Sequence, residues 1–177
     1  MPADVQSAFD VAFWLSDTAL NCNEYLQPQK LQRLLFLCQG YYTVVYPKRG
    51  LMPAHFVADE IGPIEPNVFL AFTRGRPNID VDLFMPHEVE TFLDSIWRRF
   101  GHFSADRLGK MTKETEAYKR AWRRGPRAEI TLAEMRLSFA KADSAPSVKQ
   151  VIRPKMMRTQ HGRPVTVQAW RPGKKMS

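Results

Sequence analysis

The chain has 177 residues, 44% of them hydrophobic and 25% charged, the make-up of one folded domain with a real core and some excess at an end. Its formal charge of +8 is unevenly placed: residues 144–177 carry eight Lys or Arg and no Asp or Glu, which leaves eighteen of each sign in residues 1–143. The basic balance therefore belongs to a tail and says little about the body. The N-terminus, Met1-Pro-Ala-Asp-Val-Gln, lacks the cationic patch and apolar stretch of a signal peptide. The densest apolar run, Leu34-Leu-Phe-Leu-Cys38, is far short of the roughly 20 residues that span a bilayer. A soluble, cytoplasmic protein with no membrane association is expected.

In chain order, Val5, Ala8, Phe9, Ala12, Leu15 and Ala19 recur at steps of three and four, which predicts an amphipathic helix over Ala3 to Asn21. A second helix begins at Pro28, since proline at the first helical position loses no hydrogen bond. Leu31, Leu34, Leu35, Cys38, Tyr41 and Tyr42 form its apolar face. Gly40 within that face costs about 1 kcal/mol against alanine, which points to a close helix contact there. Residues 47–64, broken by Pro47, Gly50, Pro53, Gly62 and Pro63, leave room for short strands around Phe56–Ala58. Glu65-Pro66 starts a helix that ends before Gly75. Ile79-Asp-Val-Asp-Leu83 alternates like a short strand.

Pro86 opens a helix with Val89, Phe92, Leu93, Ile96, Trp97 and Phe100 on one face, and Glu88 and Glu90 favourably in its first turns. Ser104 caps a short segment ending near Met111, Glu114–Arg123 is helical, and Gly125-Pro126 stops it. Thr131-Leu-Ala-Glu134 is a capping box for a last helix to about Ala142. Prolines interrupt everything beyond. Val165–Trp170 alternates like a strand without a partner in its own neighbourhood, and the tail reads as weakly ordered until it binds something. The fold expected is mainly α: a compact single-domain bundle of five to seven helices with a small β element over residues 1–143, then a basic, proline-containing extension over 144–177.

The residues that carry chemistry are sparse. Cys22 and Cys38 lie sixteen apart with no C-x-x-C and no histidine at ligand spacing, so two buried, reduced thiols are expected and no zinc site. No nucleophile elbow, H-E-x-x-H, P-loop or G-x-G-x-x-G occurs. The histidines (His55, His87, His102 and His161) fall in different segments, as surface or capping residues do. Asp59, Glu60, Asp80 and Asp82 are the best carboxylate cluster and hold a divalent metal in principle, but alternating Asp80 and Asp82 read as the solvated face of a strand. Neither an enzyme nor a cofactor is expected. The tail's Arg153, Lys155 and Arg158, interleaved with Trp170, are candidates for partner contact or for a salt-sensitive grip on phosphates. Nothing in the neutral body reads as a helix-turn-helix with a basic recognition helix.

One stretch is more specific. Leu26-Gln-Pro-Gln-Lys-Leu-Gln-Arg-Leu-Leu-Phe-Leu-Cys-Gln-Gly-Tyr41 resembles the signature of the SocA-like (Panacea-domain) antitoxin family. Pro28, Lys30, Leu31, Gln32, Leu34, Leu35, Gln39 and Gly40 match it directly, and Arg33, Phe36 and Tyr41 are close substitutes. A second block, Gly62-Pro-Ile-Glu-Pro-Asn-Val-Phe69, containing Gly62, Pro63 and Pro66, is similar to the family's Gly-Pro-Val-x-Pro-x-Val-Tyr element. Similarity continues downstream, so that residues 5–140 are covered. The chain departs from the pattern at Thr112-Lys113 and Ala117-Tyr118, at Gln27 in place of a capping Thr or Ser, and at Asp59-Glu60-Ile61 before Gly62.

The resemblance implies a bacterial or phage antitoxin whose partner is a cognate toxin protein. Family members neutralise toxins by direct complex formation, and the adapter type delivers its toxin to the ClpXP protease. On the residues themselves, Leu31, Leu34, Leu35, Gly40 and Pro63 are expected to pack the core. Lys30, Gln32, Gln39 and Glu65, polar in apolar surroundings, are read as either a buried polar network or a partner-contact surface.

Overall fold

The computed structural model describes residues 2–79, 84–141 and 146–152, together with the backbone of 156–158 and 164–166. Within them the protein is mainly α. Helices α1 (Ala8–Asn21) and α2 (Pro28–Val45) precede strands β1 (Phe56–Asp59) and β2 (Gly62–Ile64). Helices α3 (Pro66–Phe72), α4 (His87–Phe100), α5 (Ala105–Lys113) and α6 (Glu116–Arg124) follow, then β3 (Glu129–Ile130) and α7 (Leu132–Lys141). A single turn, α8 (Val148–Val151), and strands β4 (Met156–Arg158) and β5 (Pro164–Thr166) come last.

Local chemistry sets most helix starts. Pro28 and Pro66 stand at the first turns of α2 and α3. Ser104 accepts from Arg107 N–H at 3.2 Å and Thr115 from Tyr118 N–H at 3.4 Å. The expected capping box is present: Glu134 N–H donates to Thr131 Oγ1 at 3.2 Å, and Thr131 N–H to Glu134 Oε2 at 3.0 Å. Gln27 makes no side-chain cap on α2. The first helix begins later than its apolar period suggested. Ser7 and Asp10 form a capping box there, and residues before it run extended beside Gly50 and Leu51. Asp4 N–H donates to Gly50 O at 3.1 Å and Val5 N–H to Leu51 O at 3.0 Å, so Val5 is buried as part of a strap. Periodicity counts apolar positions, whereas a cap needs Ser7 outside the helix.

Helix α2 is the axis of the bundle. It touches α1, α3, α4, α5, α7, α8 and β2, and all fourteen residues from Lys30 to Thr43 are buried. An expected apolar stripe is therefore buried on every side. At the predicted close contact, a Cβ on Gly40 would lie 2.4 Å from the Phe139 ring of α7. That ring packs edge-on against Phe36 and Tyr41 at 5.7 and 4.9 Å. The sheet has the order β2-β1-β3, antiparallel throughout. Pro63 sits on the edge strand β2, where its missing N–H leaves no ladder bond unmade.

The end of the chain corrects two expectations. Val165 does have a local partner: β5 pairs antiparallel with β4, with Met157 opposite Val165. Nor do all core positions lie upstream of Asp143. Val151 is 4% exposed, α8 packs on α2 and α4, and Tyr41 Oη donates to Pro146 O at 2.7 Å. Ending the chain after Asp143 should therefore lower stability by about 1.5–3 kcal/mol from Val151 alone, or roughly 3–10 °C in Tm for a chain of this size. Calorimetry on the truncated protein checks this, and an unchanged Tm refutes it.

Candidate partner-binding site

The motif residues meet around α2, and they meet inside. Lys30 Nζ pairs with Glu24 and donates to Gly101 O at 2.7 Å. Arg33 donates to Ala105 O at 2.5 Å and to Ile61 O at 3.1 Å, and burial holds its guanidinium pKa below the ordinary value against the nearby Asp106. Gln32 Oε1 accepts from Glu65 N–H at 2.7 Å. Glu65 in turn caps α3, accepting from Val68 N–H at 2.7 Å. Gln39 makes a two-bond clasp on Met52, donating to its carbonyl at 3.0 Å and accepting from its N–H at 3.2 Å.

Lys30, Gln32, Arg33 and Gln39 thus tie the surrounding connections to the central helix, while the Glu65 carboxylate caps α3. The cost of burying them is met by partners from the chain's own backbone, with one exception: Gln32 Nε2 finds no partner among the described residues. Lys30, Gln32, Gln39 and Glu65 are 7%, 1%, 0% and 4% exposed. The reading of these four as a contact surface is corrected to the other one, a buried polar network, whose partners are Glu24 and the backbone of Gly101, Glu65, Met52 and Val68. Leu31, Leu34 and Leu35 are fully buried, and Gly62 adopts a φ of +125° at the turn into β2, a region that favours glycine.

Of the tail candidates, Arg153, Lys155 and Trp170 lie outside the described residues, as does the side chain of Arg158 in β4. Asp80 and Asp82 also lie outside them, as does most of the Ile79–Leu83 strand expectation. Asp59 accepts from Ile61 N–H at 3.2 Å and faces Arg127 at 3.5 Å. Among the described residues no three His, Cys, Asp or Glu lie close enough to hold a metal. His55 is exposed beside Glu129 at 3.3 Å. Cys38 is buried, and burial raises its thiol pKa far above the ordinary value. Cys22, expected to be buried, is exposed at the end of α1, because the helix stops one residue before it.

The surface offers two features that residue patterns did not single out. The first is a groove of about 540 Å³ between the N-terminal strap and the start of α4, lined by Val5, Phe9, Ile79, Phe84 and Met85 and also by Asp4 and Asp10. Phe84 is 89% exposed and Ile79 48%, unusual for large apolar side chains so close together. The second is a basic outer face on α5 and α6. Neutrality summed over residues 1–143 concealed it: residues 98–127 hold ten Lys or Arg against three Asp or Glu, whereas residues 1–97 hold six against twelve. Counting charge by segment would have found it.

No family model, curated protein or solved structure matches the chain. No helix among the described residues is long and apolar enough to cross a membrane.

Proposed function

We propose that this protein is an antitoxin of the SocA-like, Panacea-domain type, neutralising a cognate toxin in the bacterial cytoplasm by direct protein binding. The observation that supports the reading most is the junction of its two motif blocks. Leu26–Tyr41 and Gly62–Phe69 are the stretches that resemble the family, and they are joined by the bond from Glu65 N–H to Gln32 Oε1 at 2.7 Å. Residues that recur together as a signature are here one physical unit, a buried helix with its tethered loop. In this reading the signature builds the scaffold and the partner docks elsewhere. The groove that Phe9, Ile79 and Phe84 share with Asp4 and Asp10 offers an exposed aromatic of the kind that anchors protein interfaces.

Co-expression with the toxin encoded beside it, in hosts with and without ClpX, tests the reading. The expected result is restored growth and a co-purifying complex, with Phe84→Asp weakening the complex while leaving Tm unchanged, since Phe84 lies on the surface. Rescue that is equal in both hosts means sequestration, and rescue that disappears without the protease means delivery to ClpXP. Growth arrest that persists in both hosts, with no complex recovered, overturns the proposal.

A further inference from the structure

The basic face on α5 and α6 has no role in that reading, and its make-up differs from a protein-docking surface. Helix α5 turns Leu108, Gly109 and Thr112 inward and leaves Arg107, Lys110 and Lys113 exposed. Spaced three residues apart, these cations rise about 4.5 Å from one to the next along the helix. Helix α6 buries Ala117, Tyr118 and Ala121 and exposes Lys119, Arg120 and Arg123. Thr115 accepts the cap bond that starts α6 immediately after α5, and the two helices pack together, so the two cation rows are carried by one rigid helix pair.

Some of these charges have neighbours: Arg107 lies over the Phe103 ring at 3.6 Å, and Lys119 and Arg120 border a groove with Glu114, Glu116 and Glu134. Glu116 is shared between Lys119 at 3.8 Å and Arg123 at 3.9 Å. Lys110, Lys113 and Arg120 pair with no carboxylate among the described residues. Arg124 and Arg127 are otherwise engaged, Arg124 with Glu134 and Glu129 O, Arg127 with Asp59. Beside the row stands Trp122, 41% exposed. Its indole is stacked on Tyr118 with centroids 6.0 Å apart and planes 12° from parallel, and Tyr118 Oη is itself anchored to Asp59 O at 2.7 Å. Trp122 is thus a supported aromatic plate at the edge of a cationic strip.

We propose that this face binds single-stranded nucleic acid, with Arg107, Lys110, Lys113, Lys119, Arg120 and Arg123 along the phosphate backbone and Trp122 stacking a base. Two physical arguments choose this occupant over an acidic protein. Protein interfaces concentrate apolar area at the centre and deplete charge and lysine there, whereas the exposed residues of α5 and α6 are predominantly cationic, with Trp122 the one large aromatic among them. Nucleic-acid interfaces have the opposite make-up, strongly positive and polar, and those for single strands add aromatic stacking that tolerates any base. The proposal stands independently of the toxin reading, because it uses a different surface.

Fluorescence anisotropy of a labelled oligo-dT of about 16 nucleotides, near the upper site size for such surfaces, tests it on the full chain. Affinity should fall steeply between about 50 and 200 mM salt. Lys110→Glu, Lys113→Glu and Arg120→Glu together should weaken binding at least about tenfold and lower the log–log salt slope by about 2, at about 0.7 per lost phosphate contact. All three side chains are solvent-facing, so an unchanged Tm shows that folding is intact. Trp122→Ala should weaken binding roughly tenfold with the salt slope unchanged. The proposal is overturned if the triple variant binds as tightly as the parent, which assigns binding to the tail. It is overturned equally if a duplex of the same length binds better and ignores Trp122→Ala, or if polyglutamate of matched charge displaces the oligonucleotide as well as unlabelled oligo-dT does.

Discussion

Gln39→Leu should lower the unfolding free energy by about 2–6 kcal/mol, because it strands both the N–H and the C=O of Met52 at about 1–3 kcal/mol for each unsatisfied buried group. Gln39 is fully buried and its amide alone serves both groups, at 3.0 and 3.2 Å. Gln39→Glu separates this account from simple loss of packing. A glutamate of the same shape keeps an acceptor for Met52 N–H, but its ionised form turns a second oxygen toward Met52 O. Burial favours the neutral carboxyl, which can donate as the amide did, so the folded pKa lies above the unfolded value of about 4.3. The sign follows: the stabilising form is fully present below the unfolded pKa and is lost as pH rises through the raised folded one. Relative to the parent at each pH, Gln39→Glu should thus recover stability on acidification from pH 7 toward pH 4, while the Gln39→Leu deficit stays flat. Urea denaturation across that range reads both, and parallel curves for the two variants refute the clasp.

Gly40→Ala should be destabilising by about 1–3 kcal/mol from overpacking, although alanine is the better helix former by about 1 kcal/mol. The added methyl would meet Phe139 ring carbons at 2.4 to 2.6 Å. Retreat is blocked because that ring is 2% exposed and boxed by Phe36 and Tyr41. Phe139→Leu removes the obstructing ring edge, so Gly40→Ala made in that background should be neutral or stabilising. Contacting pairs commonly couple by about 0.5–3 kcal/mol, and the double-mutant cycle measures that coupling directly. If Gly40→Ala costs the same with and without Phe139, the glycine is there for some reason other than this contact.

Much of this architecture was legible in the residues themselves. Pro28, Pro66, Ser104 and the Thr131–Glu134 box act within a few residues of where they stand, so local chemistry placed those starts correctly, while α6 starts at Glu116 under the Thr115 cap and not at Glu114. Gly40 announced a close contact because an isolated glycine in an apolar helix face has few other uses. The sequence alone also determined the charge layout, an acidic first half and a basic 98–127 segment, although a sum taken over the whole body hid it.

Other features were decided only by the tertiary structure. Whether Lys30, Gln32, Gln39 and Glu65 face a partner or the interior depends on which loops return to α2. The carbonyls of Gly101 and Met52 and the N–H of Glu65, which bond Lys30, Gln39 and Gln32, come from 71, 13 and 33 residues away. Polar residues on a helix are exposed or buried according to the partners that reach them, and a local pattern cannot contain partners from so far along the chain. Val151 makes the same point from the other side. It stands in a cation-rich, proline-broken stretch that reads as solvated tail, yet it belongs to the core, because the space between α2 and α4 was left for it by the rest of the fold.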